Sequence, residues 1–130
     1  MCRDTMKNVK LLSPSTLAFV GDAVYGLLVR AKLAEVERPV GELHKKSVEY
    51  VNANAQWNAY ELIKDILTEE ETAIFKRGRN NHVGQIPKST TAGVYHAATG
   101  VEALFGFLYL NGEEDRLNEL FSVIWRGISG

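Results

Sequence analysis

The sequence predicts an all-α protein of five to seven helices, and three observations support this fold class. Apolar residues recur every three to four positions through most of the chain. No stretch alternates apolar and polar residues between turn signals, as a half-buried strand does. The chain has 130 residues, 45% hydrophobic and 24% charged. That size and composition suit one core, so we expect residues 1–130 to form a single domain.

The first long helix is predicted to begin after Ser13, because a serine followed by Pro14 is typical of a helix N-terminus. Its apolar pattern continues to residue 36, and Pro39 then prevents continuation. Residues 40–67 keep helical spacing throughout. The pattern in this segment is compatible with one helix or with two.

Thr68 and Glu71 form a capping-box pattern, which predicts a further helix over residues 69–78. Residues 78–90 are rich in glycine and asparagine and contain a proline, so they are predicted to be the only long irregular loop. A loop of that length is usually functional. The rest of the chain predicts two more helices, over residues 91–110 and 113–128.

Composition excludes several classes of protein. Cys2 is the only cysteine, which rules out an internal disulfide framework and a cysteine-based zinc site. The N-terminus lacks an apolar stretch of signal-peptide length, and no later run is long enough to span a bilayer. We therefore expect a cytoplasmic protein with no membrane association.

Charge is distributed unevenly along the chain. Residues 72–101 contain no acid and carry a charge of +4, whereas the whole chain carries −1, so the other residues carry −5. The basic window could be a solvated surface or an anion-binding loop, and its position in the least regular part of the chain favours the loop. Its basic residues are Lys76, Arg77, Arg79 and Lys88.

Two lone acids stand in apolar helices. In both places the sequence reads acid, two residues, aromatic, glycine: DAVYG from Asp22 and EALFG from Glu102. Residues one helical turn away are small, aromatic or hydroxyl-bearing rather than basic, which indicates a face that is not solvated. These neighbours are Ala18, Phe19, Tyr25 and Gly26 around the first acid, and Ala98, Thr99, Phe105 and Gly106 around the second.

Small residues beside each acid favour a close helix crossing that brings the two carboxylates together. A partly buried carboxylate needs a compensating partner, and neither helix offers a nearby lysine or arginine. A shared divalent cation would compensate both acids, and oxygen ligands favour Mg²⁺, for which Mn²⁺ can substitute. Alternatively, each acid lies at the edge of its apolar stripe and is capped by a backbone donor.

The segment LAFVGDAVY over residues 17–25 resembles the signature helix of the ribonuclease III family, and VEALFGFLYL over residues 101–110 resembles its second acidic helix. GELHKKS, KRGRN and the pair PK are similar to the mini-ribonuclease III branch, which lacks a double-stranded RNA-binding domain. The resemblance implies an all-α ribonuclease III-type endonuclease domain that acts as a homodimer. It also implies Mg²⁺-dependent hydrolysis of double-stranded RNA, in maturation of large-subunit (23S) ribosomal RNA ends.

By this resemblance, Asp22 and Glu102 are the catalytic and metal-binding residues. Other acidic positions of the larger ribonuclease III enzymes fall here on Ser15, Ala18 and Thr99, so water and RNA phosphate must complete the coordination of the ion. Gly26 is a further departure, since the resemblance leads us to expect glutamate there.

Basic and polar residues are predicted to bind the RNA duplex, expected to be precursor ribosomal RNA, through phosphates and 2′-hydroxyls. Two other hypotheses remain open at this point: a non-catalytic module of the same fold that binds structured RNA or a ribosomal partner, and an all-α dimerisation domain. The predicted RNA-binding residues are Lys76, Arg77, Arg79, Asn80, Lys88, His44, Lys45 and Lys46.

Overall fold

The computed structural model describes residues 8–81 and 91–129 of the chain. Six α-helices and two short 3₁₀ turns, and no strand, occur in these two ranges, which confirms the all-α prediction. No helix within them is long and apolar enough to cross a membrane. The α-helices are α1 (Pro14–Leu33), α2 (Val40–Val51), α3 (Ala53–Ile63), α4 (Glu69–Arg79), α5 (Ala92–Leu110) and α6 (Glu114–Ser129), and the 3₁₀ turns are Val9–Leu11 and Lys64–Ile66.

Helix α1 begins at the predicted place and ends earlier than predicted. The Ser13 hydroxyl accepts a hydrogen bond from the backbone N–H of Thr16 at 3.1 Å, and Pro14 is the first helical residue. The helix ends at Leu33 rather than near residue 36. Its carbonyl at Leu33 accepts a hydrogen bond from the Arg38 guanidinium at 3.1 Å, which satisfies a C-terminal carbonyl and draws the chain away from the helix axis.

Asn52 divides the segment after α1 into two helices, α2 and α3. Its side-chain oxygen accepts a hydrogen bond from the backbone N–H of Ala55 at 2.9 Å, which caps the start of α3. Its side-chain amide donates to the carbonyl of Val48 at 3.0 Å, near the end of α2. One residue therefore ends one helix and begins the next.

The capping box at the start of α4 is present as predicted. The backbone N–H of Thr68 donates to the Glu71 carboxylate at 2.8 Å, and the backbone N–H of Glu71 donates to the Thr68 hydroxyl at 3.1 Å. Arg116 on α6 holds the same carboxylate through Nε and Nη2, both at 2.8 Å. Burial alone would raise the pKa of Glu71, but these hydrogen bonds and the guanidinium charge bring it below its ordinary value.

The basic residues after Glu71 lie on a helix that was predicted to end at residue 78, so only Arg79 is moved from the predicted loop to the helix. Lys76, Arg77 and Arg79 occupy the last turns of α4, and Asn80 is its C-terminal cap. Positive side chains are stabilised at a helix C-terminus by the partial negative charge of its free carbonyls. Residues 82–90 of the predicted loop lie outside the described residues.

Helix α5 is the centre of the fold, and α1, α3 and α4 pack against it. Most of its side chains from residue 97 onward are apolar and buried, as expected of a helix that several others cover. Its fully buried residues include Val101, Leu104, Phe105, Phe107 and Leu108.

Two glycines allow α1 to cross α5 backbone against backbone. A Cβ atom at Gly21 would lie 1.5 Å from the carbonyl oxygen of Glu102, and a Cβ atom at Gly106 would lie 2.0 Å from that of Leu17. Of the two glycines that the sequence pattern placed one turn after the acids, Gly106 lies at the crossing and Gly26 does not, since nothing lies within 4 Å of a Cβ atom at Gly26. The required glycine is the residue directly before Asp22.

Candidate active site

Asp22 on α1 and Glu102 on α5 lie side by side where the two helices cross. Gly21 meets the backbone of Glu102 itself, so the residue that follows Gly21 is placed next to the Glu102 side chain. Both carboxyl groups line the same cleft, where the charge of Asp22 acts on Glu102. The crossing therefore brings together two acids that are 80 positions apart in the sequence.

The two acids differ in exposure. Glu102 is half-buried, whereas Asp22 is exposed, and this corrects the expectation that both lie on faces hidden from solvent. The reason is that α5 covers only the side of α1 that carries Leu17 and Gly21. Phe19, one turn before Asp22, is 80% exposed for the same reason.

Burial raises the pKa of Glu102 to about 7, and the adjacent carboxylate of Asp22 contributes to this rise. A hydrogen bond from Gln56 opposes the rise. Near neutral pH, the contact between the two acids therefore disfavours a state in which both are ionised. A cation bound between them would replace the proton that relieves their repulsion.

Gln56 is a site residue that the sequence did not reveal. It lies in the first turns of α3 with 2% of its surface exposed, and its Nε2 donates to Oε2 of Glu102 at 3.3 Å. One signal could have identified it. Gln56 precedes Tyr60 and Ile63 by four and seven residues, so it is a polar residue on the apolar face of its helix.

The acids open onto a cleft of about 390 Å³ between α1, α5 and the residue after α4. Within it, the Asn81 side-chain amide donates to the Ser15 hydroxyl at 2.7 Å, which joins the end of α4 to the start of α1. Ser15, Ala18 and Thr99 all line this cleft, so the positions that lack carboxylates are next to the two that have them. The lining residues are Ser15, Ala18, Phe19, Asp22, Asn81, Tyr95, Thr99 and Glu102.

The basic residues at the end of α4 are not equivalent. Lys76 is exposed, and the Arg79 guanidinium lies 5.9 Å from the centre of the Phe75 ring. The Arg77 guanidinium donates to the backbone carbonyls of Lys10 and Leu12, at 2.8 and 2.9 Å, and so holds the segment before α1. Lys76 is thus the more available of these cations.

The remaining predicted RNA-binding residues lie elsewhere. Asn80 directly precedes Asn81 of the cleft, whereas Lys88 lies outside the described residues. His44, Lys45 and Lys46 are on α2, which packs on α1 and contributes no residue to the lining of the cleft. The structure therefore places the end of α4 beside the acids and leaves the α2 cluster apart from them.

A second concavity, the apolar groove, runs along the other side of α1 and has a volume of about 590 Å³. Phe19 and Leu27 line it and are 80% and 66% exposed, although both are large and apolar. Phe19 and Asp22 line the groove as well as the cleft. Other lining residues are Val20, Ala23, Leu28, Tyr109 and Leu117.

Comparison with known proteins identifies the family to which a chain with this site belongs. The model of the ribonuclease III domain matches residues 15–113, a range that holds both acids, the glycines of the crossing and Gln56. The chain belongs to the ribonuclease III family.

Curated relatives and a solved structure agree with this family. Mini-ribonuclease 3 of Thermoanaerobacter sp. (strain X514) is 47% identical over 92% of this chain and 84% of its own length. Mini-ribonuclease 3 of Symbiobacterium thermophilum is 41% identical over 88% of this chain and 89% of its own length. The crystal structure of protein FN1578 from Fusobacterium nucleatum is 31% identical, with a TM-score of 0.86 and 94% of each chain covered.

As a member of the ribonuclease III family, the protein is an endoribonuclease. Ribonuclease III enzymes act on double-stranded RNA and generally depend on divalent metal ions. The cleft fits such an ion, because the carboxylates of Asp22 and Glu102 both line it and offer only oxygen donors. Among the described residues no three or more histidine, cysteine or acidic side chains are grouped around an ion site. Water and substrate would have to provide the remaining ligands.

Proposed function

We propose that this protein hydrolyses double-stranded RNA in a Mg²⁺-dependent reaction in which Asp22 and Glu102 are the catalytic, ion-holding residues. The observation that carries the proposal is that the α1–α5 crossing brings these two carboxylates into one cleft. Mn²⁺ would serve in the same place, since it accepts the same oxygen ligands.

The two acids would contribute differently. Asp22 is exposed and can approach a phosphate group that enters from solvent, whereas Glu102 is half-buried and tied to Gln56. Asp22 and Glu102 would hold the ion, which when bound would lower the pKa of a water molecule and stabilise the charge that develops on the scissile phosphate. Ser15, Ala18 and Thr99 add no carboxylate, so the affinity of the protein for the ion is expected to be low until RNA is bound.

The end of α4 would hold the RNA backbone. Lys76 is exposed and Arg79 is half-buried, and the chain that follows them reaches the cleft at Asn81, which supports a role for this end of α4 in binding the duplex. Arg77 uses two of its N–H groups on backbone carbonyls and keeps others for a phosphate. Lys88 and the α2 cluster of His44, Lys45 and Lys46 complete the proposed set.

A second copy of the chain would cover the apolar groove. Large apolar side chains exposed along one face of a helix are typical of an association surface, and Phe19, Ala23 and Leu27 follow one another at helical spacing. Pairing about a two-fold axis would bury this stripe against its own copy. The proposed active form is therefore a homodimer with one cleft in each protomer.

The biological role we propose follows from the resemblance to the mini-ribonuclease III branch. A single catalytic domain over residues 1–130 would process the ends of precursor 23S ribosomal RNA in the cytoplasm. Relatives that bear the name Mini-ribonuclease 3 and align over about nine-tenths of this chain support the assignment to that branch.

The test of the chemistry is cleavage of a long RNA duplex with Mg²⁺ and with EDTA. Asp22→Asn and Glu102→Gln each remove a ligand charge at constant volume, and we expect each to lower the rate at least about a hundredfold. Duplex affinity and thermal stability should stay close to those of the parent. Cleavage by either variant at the parent's rate would contradict the assignment of these residues.

The test of assembly is the mass in solution. Light scattering should give twice the 14.5 kDa mass of one chain. Leu27→Asp places a charge in the apolar groove and should give single chains. Val48→Asp is the matched control, because Val48 is 60% exposed on α2, outside the groove, and this variant should remain dimeric. A parent protein with the mass of one chain would exclude the stable dimer.

A further inference from the structure

Gln56 is hydrogen-bonded to Glu102, one of the two candidate catalytic acids, and its side-chain amide is held in place by two hydrogen bonds. Its Nε2 donates to the carbonyl of Val51 at 2.9 Å and to Oε2 of Glu102 at 3.3 Å. The first bond fixes the amide against the last residue of α2, and the second reaches across to α5. Both hydrogens of the amide nitrogen are thereby used.

The orientation of this amide is determined by its neighbours. Both groups that face Nε2 are acceptors, so a flipped amide would set an oxygen against two other oxygens. The amide oxygen, in contrast, is buried and has no hydrogen-bond partner. An unsatisfied buried acceptor is unfavourable, so the other contacts of this residue have to compensate for it.

The contact with Glu102 supplies that compensation. A hydrogen bond to Oε2 limits rotation of the Glu102 carboxylate, and the two oxygens therefore keep a defined direction in the cleft. The amide that donates this bond is itself anchored to a backbone carbonyl at the α2–α3 junction, which is fixed by the fold. The side chain of Glu102 is therefore held from α3, whereas its backbone is held from α1.

On this basis, and resting on the proposed function, we propose that Gln56 is a positioning residue: it orients the Glu102 carboxylate so that Glu102 and Asp22 together hold the divalent ion. Partners that orient a metal-binding side chain typically change ion affinity or activity by about 10- to 100-fold when they are removed. Gln56 does not touch the ion or the RNA in this scheme.

The experiment compares Gln56→Met, which keeps the length of the side chain and loses both donors, with the parent protein. Duplex cleavage is measured over a range of Mg²⁺ concentrations, and Mn²⁺ binding to the protein alone is measured by electron paramagnetic resonance. The half-saturating Mg²⁺ concentration should rise about 10- to 100-fold and Mn²⁺ affinity should fall by a similar factor. The KM for the duplex should stay unchanged.

Asn52→Ala is the matched control. This variant removes hydrogen bonds from the same α2–α3 junction, to Val48, Glu49 and Ala55, and makes no contact with either acid. It should lower thermal stability and leave the Mg²⁺ dependence unaltered. An equal shift in Mg²⁺ dependence for Asn52→Ala would assign the effect to the stability of the junction and overturn the positioning role.

A second variant tests the same role in case Gln56→Met does not fold. Gln56→Asn keeps the amide but is one carbon shorter, so it should show the same shift in Mg²⁺ dependence as Gln56→Met. Parent-like Mg²⁺ and Mn²⁺ behaviour in a folded Gln56 variant would overturn the inference and leave the proposed function standing. A parent protein that neither cleaves the duplex nor binds Mn²⁺ would overturn both.

Discussion

Replacing Gly21 with alanine should separate α1 from α5 and so dismantle the site. The new Cβ atom would lie 1.5 Å from the carbonyl oxygen of Glu102, whereas ordinary contacts begin at 3.4 Å. The helices must therefore move apart by about 2 Å locally, because a backbone carbonyl in a central helix cannot rotate away. Overpacking usually lowers the free energy of unfolding by about 1–3 kcal/mol. Because the clashing atom here belongs to the backbone, we expect this variant to lose about 3 kcal/mol or more.

The same displacement should affect catalysis. A misplacement of about 1 Å can lower a rate by about a hundredfold, so a shift of about 2 Å at Asp22 and Glu102 should cost at least that much. Thermal unfolding of Gly21→Ala should occur at least about 10 °C below the parent. Cleavage of an RNA duplex is then measured at a temperature where the variant is still folded.

Gly26→Ala is the control on the same helix. Nothing lies within 4 Å of its added Cβ atom, and alanine favours a helix over glycine by about 0.5–1 kcal/mol, so this variant should be slightly more stable than the parent. A Gly21→Ala protein that unfolds and cleaves as the parent does would refute the close-crossing argument. So would equal effects of the two substitutions.

Three further predictions concern charged side chains. Replacing Lys76 and Arg79 with alanine should weaken duplex binding. A plot of the logarithm of the binding constant against the logarithm of the salt concentration should become shallower, by about one unit of slope for each phosphate that is no longer neutralised. Binding titrations at several salt concentrations measure this slope. Arg77→Ala should also lower thermal stability, because it removes two hydrogen bonds to backbone carbonyls. Glu71→Gln should lower the free energy of unfolding at pH 7 by about 2–4 kcal/mol, because the carboxylate of Glu71 pairs with Arg116. Since pairing lowers the pKa of Glu71, its contribution is present above pH 4.5 and is lost on acidification, so urea unfolding of the variant should depend less on pH below that value.

Local sequence patterns predicted much of the fold. Ser13 with Pro14 and Thr68 with Glu71 are interactions between near neighbours, so their hydrogen bonds could be predicted without knowledge of the tertiary structure. The end of α1 could not be predicted in this way. It is accompanied by a hydrogen bond from the Arg38 guanidinium to a carbonyl five residues earlier, which a local pattern does not indicate.

The sequence predicted the parts of the candidate site that can be recognised from a single residue and its neighbours. It did not predict the parts that depend on how two helices pack. Asp22 and Glu102 stood out as acids among apolar neighbours, and their contact follows from the crossing. Gly21 could not be distinguished from Gly26, because only the angle and register of α1 on α5 decide which glycine meets a backbone. Gln56 was missed for the same reason, since its partner is 46 residues away.

Phe19 and Asp22 form a wall between the cleft and the apolar groove, and this wall is only one helix thick. In the proposed homodimer the same stripe of side chains also meets the second copy of the chain, so an apolar small molecule that occupies the groove would compete with that copy. Such a compound would inhibit cleavage by separating the protomers and not by competing with RNA for its binding surface. Its effect would weaken as the protein concentration rises, because mass action then favours the dimer.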